Sequence, residues 1–179
     1  FNSEVYADMD AQPVFERRSG VCEGFANLFV AMCKAAGLEA VKISGYAKGY
    51  GFKNGSSFKE TNHAWNAVRI NGKWKLIDVT WGEGNGSNVN GKLVSEKAFD
   101  DYWFMTNPKE FLFTHLPEES KWQLIPEKIT MADYLKLPWL GNAYWKLGFD
   151  ADKILDRNGT HSLAPFPEAY SPRVPVKIV

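Results

Sequence analysis

Residues 63–79 read HAWNAVRINGKWKLIDV, and this stretch predicts an antiparallel β-hairpin. At its centre is Asn71-Gly72, a pair that strongly favours a two-residue type I′ turn between two strands. The segments on both sides are rich in aliphatic and aromatic residues, as strands are. We therefore expect Ile70 to pair with Lys73, which fixes the register of the whole hairpin.

This register brings two chemically important side chains together. It places His63 opposite Thr80 and Trp65 opposite Asp78. Opposed residues share a face of the sheet and alternate residues return to it, so His63 and Asp78 lie on one face. Their backbones are then roughly 7–8 Å apart, and an imidazole and a carboxylate can bridge that gap with a hydrogen bond. A slip of one residue would separate them.

Upstream of the hairpin, apolar residues at helical spacing predict a helix from Cys22 to Ala36, ended by Gly37. Cys22 opens this helix, where unpaired N–H groups and the helix dipole favour a thiolate. The same N–H groups can donate to a developing oxyanion. Cys33 lies in mid-helix, and we expect it to be a core residue.

Cys22, His63 and Asp78 are the residue types of a thiol catalytic triad: a nucleophile, a general base and the carboxylate that orients the base. Each alone is more often structural, but the three together favour function. His115 and His161 lie in Pro-bounded segments where no carboxylate partner can be constructed, so we interpret both as structural.

Three tryptophans lie in or directly after the predicted hairpin. Trp65, Trp74 and Trp81 fit the core or a cleft wall better than a binding platform. The loops at 47–61 and 82–91, rich in Gly, Ser and Asn, are predicted to be exposed and to flank the cleft.

The remaining elements complete an α+β outline, with one helix packed on an antiparallel sheet. Their predicted positions are strands at 38–46, 63–70, 73–79, 99–105 and 174–179 and a short helix that opens at Asn107-Pro108.

Length favours one main domain. We place it at 1–150, as far as the family resemblance described below extends, with an extension at 151–179 that could begin a truncated β module. The chain starts at Phe1 without a signal peptide. This favours a piece of a larger secreted or cell-envelope protein with further domains, although the compartment stays open.

Composition argues against several functions. The chain has 21 Lys+Arg and 21 Asp+Glu, without the basic stripe typical of nucleic-acid binding. No apolar run approaches the roughly 20 residues that cross a bilayer. With two Cys, three His and no CxxC, we expect no metal site, no cofactor and no disulfide framework.

The motifs around these residues resemble the transglutaminase-like superfamily of papain-like thiol enzymes, and most of all its kyphoscoliosis peptidase-type branch. The matching segments follow in order: GVCEGFA at 20–26, AGL at 36–38, SGY at 44–46, NHAWN at 62–66, DVTWG at 78–82, YWFMTN at 102–107, HLP at 115–117 and KWQL at 121–124.

The resemblance implies a papain-like fold and acyl transfer on protein or peptide substrates through a thioester. It implies Cys22 as nucleophile, His63 as general base and then acid, and Asp78 as its orienter. Papain-like enzymes also use a side-chain donor upstream of the Cys for the oxyanion, and Gln12 is our candidate.

Alternatives remain open at this point. The sequence lacks the calcium-ligand spacing of regulated transglutaminases, which favours hydrolysis over transamidation. A catalytically weak scaffold or adaptor module is the second hypothesis, because members of this branch are thought to work in that way. A redox thiol protein is weaker, since Cys22 lacks a nearby resolving cysteine.

Overall fold

A computed structural model describes residues 8–49, 52–53, 55–89 and 92–154. The predicted strand at 174–179 and His161 lie outside these residues. The helices are α1 (Ala11–Arg17), α2 (Cys22–Ala35), α3 (Val79–Glu83), α4 (Pro108–Phe111), α5 (Met131–Lys136), α6 (Asn142–Lys146) and α7 (Ala151–Ile154). The strands are β1 (Ala40–Ala47), β2 (His63–Ile70), β3 (Lys73–Ile77), β4 (Gly84–Val89), β5 (Lys92–Lys97), β6 (Phe104–Thr106) and β7 (His115–Pro117). Short 3-10 helices lie at Asp101–Trp103 and Ser120–Gln123.

The described strands form a five-stranded antiparallel sheet in the order β6-β3-β2-β1-β7, with β4 and β5 as a separate hairpin. Helices together with this sheet confirm the α+β class. Within the described residues, no helix is long and apolar enough to span a bilayer.

The central hairpin has the predicted register. Ile70 pairs with Lys73 and Asn66 with Ile77. The turn residues Asn71 and Gly72 both have positive φ, 49° and 75°, as a type I′ turn requires. The prediction was wrong at the far end, because β3 ends at Ile77 rather than at residue 79.

The strand ends there because Asp78 acts as a helix cap. Its side chain accepts hydrogen bonds from the N–H groups of Thr80 and Trp81 and so starts α3. Its own N–H donates to the carbonyl of Trp103. Asp78 therefore does not pair with Trp65, yet the alternation of the strands still brings its carboxylate to His63.

Helix α2 confirms the predicted helix at 22–36 to within one residue. It ends in a Schellman motif, in which Gly37 has φ 74° and the N–H of Leu38 donates to the carbonyl of Cys33. Cys33 is buried against Val68 and Ile77 of the sheet, as expected of a core residue.

One buried amide fixes the helix on the sheet. Nδ2 of Asn66, on β2, donates to the carbonyls of Ala26 in α2 and Val41 in β1. Asn66 is fully buried, so loss of these bonds would leave polar groups without water. The position of α2 relative to β2 is thereby specified.

Other predictions were wrong or incomplete. The predicted loop at 82–91 contains the end of α3 and the strand β4, although its Gly and Asn residues disfavour strands. The predicted strand at 99–105 is instead a 3-10 turn capped by Asp100, followed by β6. The predicted exposed loop at 47–61 begins with two buried residues, Ala47 and Lys48.

Helix α1, strand β7 and helices α5 to α7 were not predicted. They were missed because the residues there are apolar without clear periodicity. Strand β7 and helices α5 to α7 contribute residues to a second core. Its buried members are Leu112, Phe113, Leu116, Ile125, Tyr134, Leu137, Leu140, Trp145 and Ala151.

Strand β1 is held closely between its two neighbours at Gly45. A Cβ at this position would overlap the Leu116 carbonyl oxygen and the Trp65 indole, and would lie 2.9 Å from Cα of Pro117. The glycine is required by this close approach of β7 and β2.

Gly45→Ala should therefore lower the free energy of unfolding by at least about 2 kcal/mol, because β7 or Trp65 must move. Urea denaturation measures this change. Gly20→Ala is the control, since its Cβ would make contacts of 3.4–3.8 Å. Equal stability of the two variants would contradict the close packing at Gly45.

Candidate functional site

Cys22 is the first residue of α2, and its thiol lies beside the start of β2. The first hydrogen bond of the helix runs from Phe25 N–H to the Val21 carbonyl, so the N–H groups of residues 22–24 precede the helical ladder. The His63 side chain and the N–H groups of Glu23 and Ala64 lie close enough to this thiol to lower its pKa.

His63 is the first residue of β2 and connects the thiol to a carboxylate. Its Nε2 lies 2.7 Å from Oδ2 of Asp78, which leaves Nδ1 for Cys22. The two partners are almost dry, with 8% of the His63 side chain and none of the Asp78 side chain exposed. The three predicted site residues thus lie together: His63 is hydrogen-bonded to Asp78 and is close enough to Cys22 to lower the pKa of its thiol.

Asp78 accepts four hydrogen bonds, which satisfies a carboxylate that is removed from water. Oδ1 receives the N–H groups of Thr80 at 2.9 Å and Trp81 at 3.0 Å. Oδ2 receives Nε2 of His63 and also Nε2 of His115, the latter at 3.0 Å. Burial of a charge is tolerated when it is paired and hydrogen-bonded in this way.

The contact with His115 corrects the interpretation of this residue as structural with no carboxylate partner. His115 is fully buried on β7, stacked on Phe111 with ring centroids 4.1 Å apart. No sequence signal pointed to this contact, because β7 reaches the site through β1 and not through the hairpin.

The hydrogen bonds assign the tautomer of His115. Asp78 only accepts, so Nε2 of His115 carries the proton, and Nδ1 accepts from the Thr114 hydroxyl at 2.8 Å. Burial, with the nearby charge of His63, lowers the pKa of His115 to about 4 against the opposing effect of Asp78. His115 is therefore neutral at pH 7.

The charges of the chain favour a thiolate–imidazolium pair. Burial alone would lower the pKa of His63, but the Asp78 carboxylate and Cys22 raise it to about 10. Burial alone would raise the pKa of the Cys22 thiol, yet the hydrogen bond and charge of His63 bring it below its ordinary value. Despite its burial, Asp78 has a pKa well below the usual range because of the two histidines.

The side chain of Gln12 is hydrogen-bonded within α1. Its Nε2 donates to Oε1 of Glu16 at 2.7 Å on the exposed face of α1. This contact does not point to Cys22, and the sequence-based oxyanion candidate has no support from it. Among the described residues, the N–H groups of Glu23 and Ala64 are donors beside the Cys22 thiol.

His63, Asp78 and His115 also form a group that could hold a metal ion, since one ligand atom from each lies within 4.8 Å of the others. In this structure the same atoms are engaged in hydrogen bonds of 2.7 and 3.0 Å. A cation would have to displace both bonded protons.

Comparison with known proteins shows which part of this chain is similar to a known family. The model of the transglutaminase-like superfamily matches residues 2–79. Kyphoscoliosis peptidase of Mus musculus is 41% identical over 58% of this chain and 16% of its own length. Hillarin of Drosophila melanogaster is 31% identical over 70% of this chain and 17% of its own. Lim and transglutaminase domain protein ltd-1 of Caenorhabditis elegans is 30% identical over 79% of this chain and 22% of its own length. The chain thus spans 16–22% of the length of these relatives.

The neutral state of His115 has a consequence for stability against pH. Its folded pKa of about 4 lies below the unfolded value of about 6.5, so stability is lost as pH falls through this window. His115→Phe keeps the stacking on Phe111. It should reduce the slope of the free energy of unfolding against pH by up to about 1.4 kcal/mol per pH unit. Urea denaturation between pH 4 and 7 measures both slopes, and equal slopes would contradict a neutral buried His115.

Proposed function

Since the chain contains a domain of the transglutaminase-like superfamily, we propose that it is a cysteine-dependent enzyme acting on amide bonds of protein or peptide substrates. The observation that carries the proposal is the hydrogen bond from His63 to Asp78 beside the Cys22 thiol, whose pKa His63 lowers. We assign Cys22 as nucleophile, His63 as general base and acid, and Asp78 as the residue that orients His63.

In the first half-reaction the Cys22 thiolate attacks the amide carbonyl carbon, forming a C–S bond and a tetrahedral oxyanion. The N–H groups at the start of α2 are our candidate oxyanion donors. The His63 imidazolium gives its proton to the amide nitrogen, the C–N bond breaks, and an amine leaves. An acyl thioester on Cys22 remains, with His63 neutral.

In the second half-reaction we propose water as the acceptor. Neutral His63 takes a proton from the water while the oxygen attacks the thioester carbonyl. The C–S bond then breaks, releasing a carboxylic acid and restoring the thiolate–imidazolium pair. An amine in place of water would give transamidation by the same steps.

A second candidate is a scaffold or adaptor module with feeble turnover. Its support is the Gln12 amide, the sequence-based candidate for an oxyanion donor, which donates to Glu16. In this case the chain would bind its partner with or without the thiol.

The activated thiol is tested by alkylation with iodoacetamide across pH, followed by mass spectrometry of the Cys22 peptide. The pKa of an ordinary thiol is about 8.5, and Cys22 should be alkylated well below this pH. His63→Ala should return the midpoint of the pH dependence of alkylation towards that value. Buried Cys33 is the control within each sample. An ordinary midpoint in the unchanged chain would favour the adaptor function.

Turnover is tested with a peptide library, with and without a primary amine, read by mass spectrometry. We expect cleaved or deamidated products to dominate and Cys22→Ser to lower their rate by at least about a thousandfold. Amine-linked products would instead indicate transamidation. If the unchanged chain and Cys22→Ser bind the library equally and neither forms products, the enzymatic assignment is contradicted.

A further inference from the structure

His115 is a buried titratable residue that the mechanism above does not use. Its side chain is removed from solvent, and its Nε2 lies 3.0 Å from Oδ2 of Asp78. The same oxygen accepts from Nε2 of His63 at 2.7 Å, while two backbone N–H groups occupy Oδ1. The two imidazoles therefore share one carboxylate oxygen.

The two hydrogen bonds to Oδ2 differ in length in the direction that the charges of their donors predict. A bond from a charged N–H to a carboxylate is shorter and stronger than a bond from a neutral N–H. The shorter bond belongs to His63, which Asp78 and Cys22 keep protonated, and the longer one to neutral His115. His115 thus gives Oδ2 a second donor without adding a positive charge that would repel the imidazolium.

The ring of His115 is oriented by its surroundings as well as by its bond to Asp78. It is stacked on Phe111 with an angle of 21° between the planes, and the indole of Trp65 meets it edge-on at a centroid distance of 5.1 Å. The Thr114 hydroxyl donates to its Nδ1 at 2.8 Å. Its backbone pairs with Ala47 of β1. The fold therefore fixes the direction of the Nε2–H group.

We propose that His115 is a positioning residue that occupies part of Oδ2 of Asp78 and thereby limits the strength of the His63–Asp78 hydrogen bond, so that His63 can release its proton to the leaving amine. This inference rests on the proposed function in giving His63 the role of general acid. Among the described residues, the aromatic packing gives His115 a structural role as well, and the tests below separate the two roles.

The direction of the effect follows from the basicity of the carboxylate. Despite burial, the charge of His63 and the hydrogen bond from His115 keep the pKa of Asp78 below its usual range. A carboxylate that is stabilised by hydrogen bonds is a weaker base. Without the donor of His115, Oδ2 would attract the His63 proton more strongly. A proton that is held more firmly is transferred more slowly to a leaving group.

The first test is proton NMR of the hydrogen-bonded Nε2–H of His63, assigned by its loss in His63→Gln. All samples carry Cys22→Ser, so that the thiol does not contribute, and are kept at about pH 6, below the ordinary histidine pKa of about 6.5. The signal of such a proton moves downfield as its bond strengthens. His115→Phe keeps the stacking and removes the donor, so it should move the signal downfield. His115→Gln keeps a neutral N–H donor and should return the signal towards its original position.

Tyr134→Phe is the matched control for displacement of β7. The buried hydroxyl of Tyr134 donates to the carbonyl of Thr114 at 2.7 Å, so its removal disturbs the same strand without removing a donor to Asp78. The His63 signal should stay in place in this variant. Circular dichroism verifies folding. A folded His115→Phe chain without a downfield shift would overturn the proposal, as would an equal shift in Tyr134→Phe.

A measurement on the unchanged chain covers the case in which His115→Phe does not fold. Nitrogen-15 NMR of the imidazoles at neutral pH should show His115 protonated at Nε2 and unprotonated at Nδ1. This is the form that donates to Asp78 and accepts from Thr114. A proton on Nδ1 would overturn the proposal, because His115 would then be either charged or unable to donate to Oδ2.

The second test compares two leaving groups. The amide nitrogen of a peptide takes a proton from His63 as the C–N bond breaks. In p-nitrophenyl acetate the thiolate forms the same C–S bond, but the C–O bond breaks and nitrophenolate leaves without a proton. His115→Phe should slow cleavage of the peptides identified in the library by about tenfold and leave the burst of nitrophenolate unchanged. His115→Gln should recover most of the peptide rate. Equal slowing with both substrates would indicate a displaced site and would overturn the proposal.

The two tests separate this proposal from the proposed function, because the NMR measurement needs no turnover. If the His63 signal responds as expected while Cys22 alkylates as an ordinary thiol and no peptide is cleaved, His115 controls the hydrogen bond and the enzymatic function fails. If peptides are cleaved and the His63 signal does not respond to His115→Phe, the enzyme stands and the role of His115 fails.

Discussion

The buried carboxylate of Asp78 is the constraint on which the rest of the structure depends. A charge removed from water is tolerated only with its lone pairs occupied, and here the donors come from α3, β2 and β7. The histidine donors are 15 and 37 residues away in the chain. One anion therefore fixes the relative positions of three segments, and removal of any donor would leave part of its charge unpaired.

The neighbouring packing serves the same geometry. Strand β1 lies between β2 and β7, which carry the two histidines that reach Asp78. Because Gly45 has no side chain, residues of both neighbouring strands can pack closely against β1. Asn66 sets α2 on the sheet one turn beyond Cys22, through the carbonyl of Ala26. The thiol is thereby brought to the end of β2 where His63 begins. Fold and site are consequences of the same few contacts.

This explains how much the sequence could predict. The hairpin and α2 follow local rules, turn chemistry in one and apolar periodicity with a glycine stop in the other, and the placement of Cys22, His63 and Asp78 could be inferred from them. The end of β3 could not be predicted, because the side chain of Asp78 competes with the strand for backbone N–H groups. The contact of His115 with Asp78 could not be predicted either, because His115 lies on β7, whose pairing with β1 has no turn signal in the sequence. Likewise, β4 is built of residues that disfavour strands, so pairing with β5 rather than propensity specifies it.

The energetic roles of the site residues are unequal, and this bears on the choice between enzyme and scaffold. His63, Asp78 and His115 are bound to one another in the interior, so a chain without any chemical task would still lose stability if one of them changed. Cys22 is different, because its thiol is half-exposed at a helix end and contributes little to the core. A scaffold could replace it at small cost in folding free energy. The presence of a thiol at that position is therefore more informative than the three buried residues beside it, and it favours the enzymatic function.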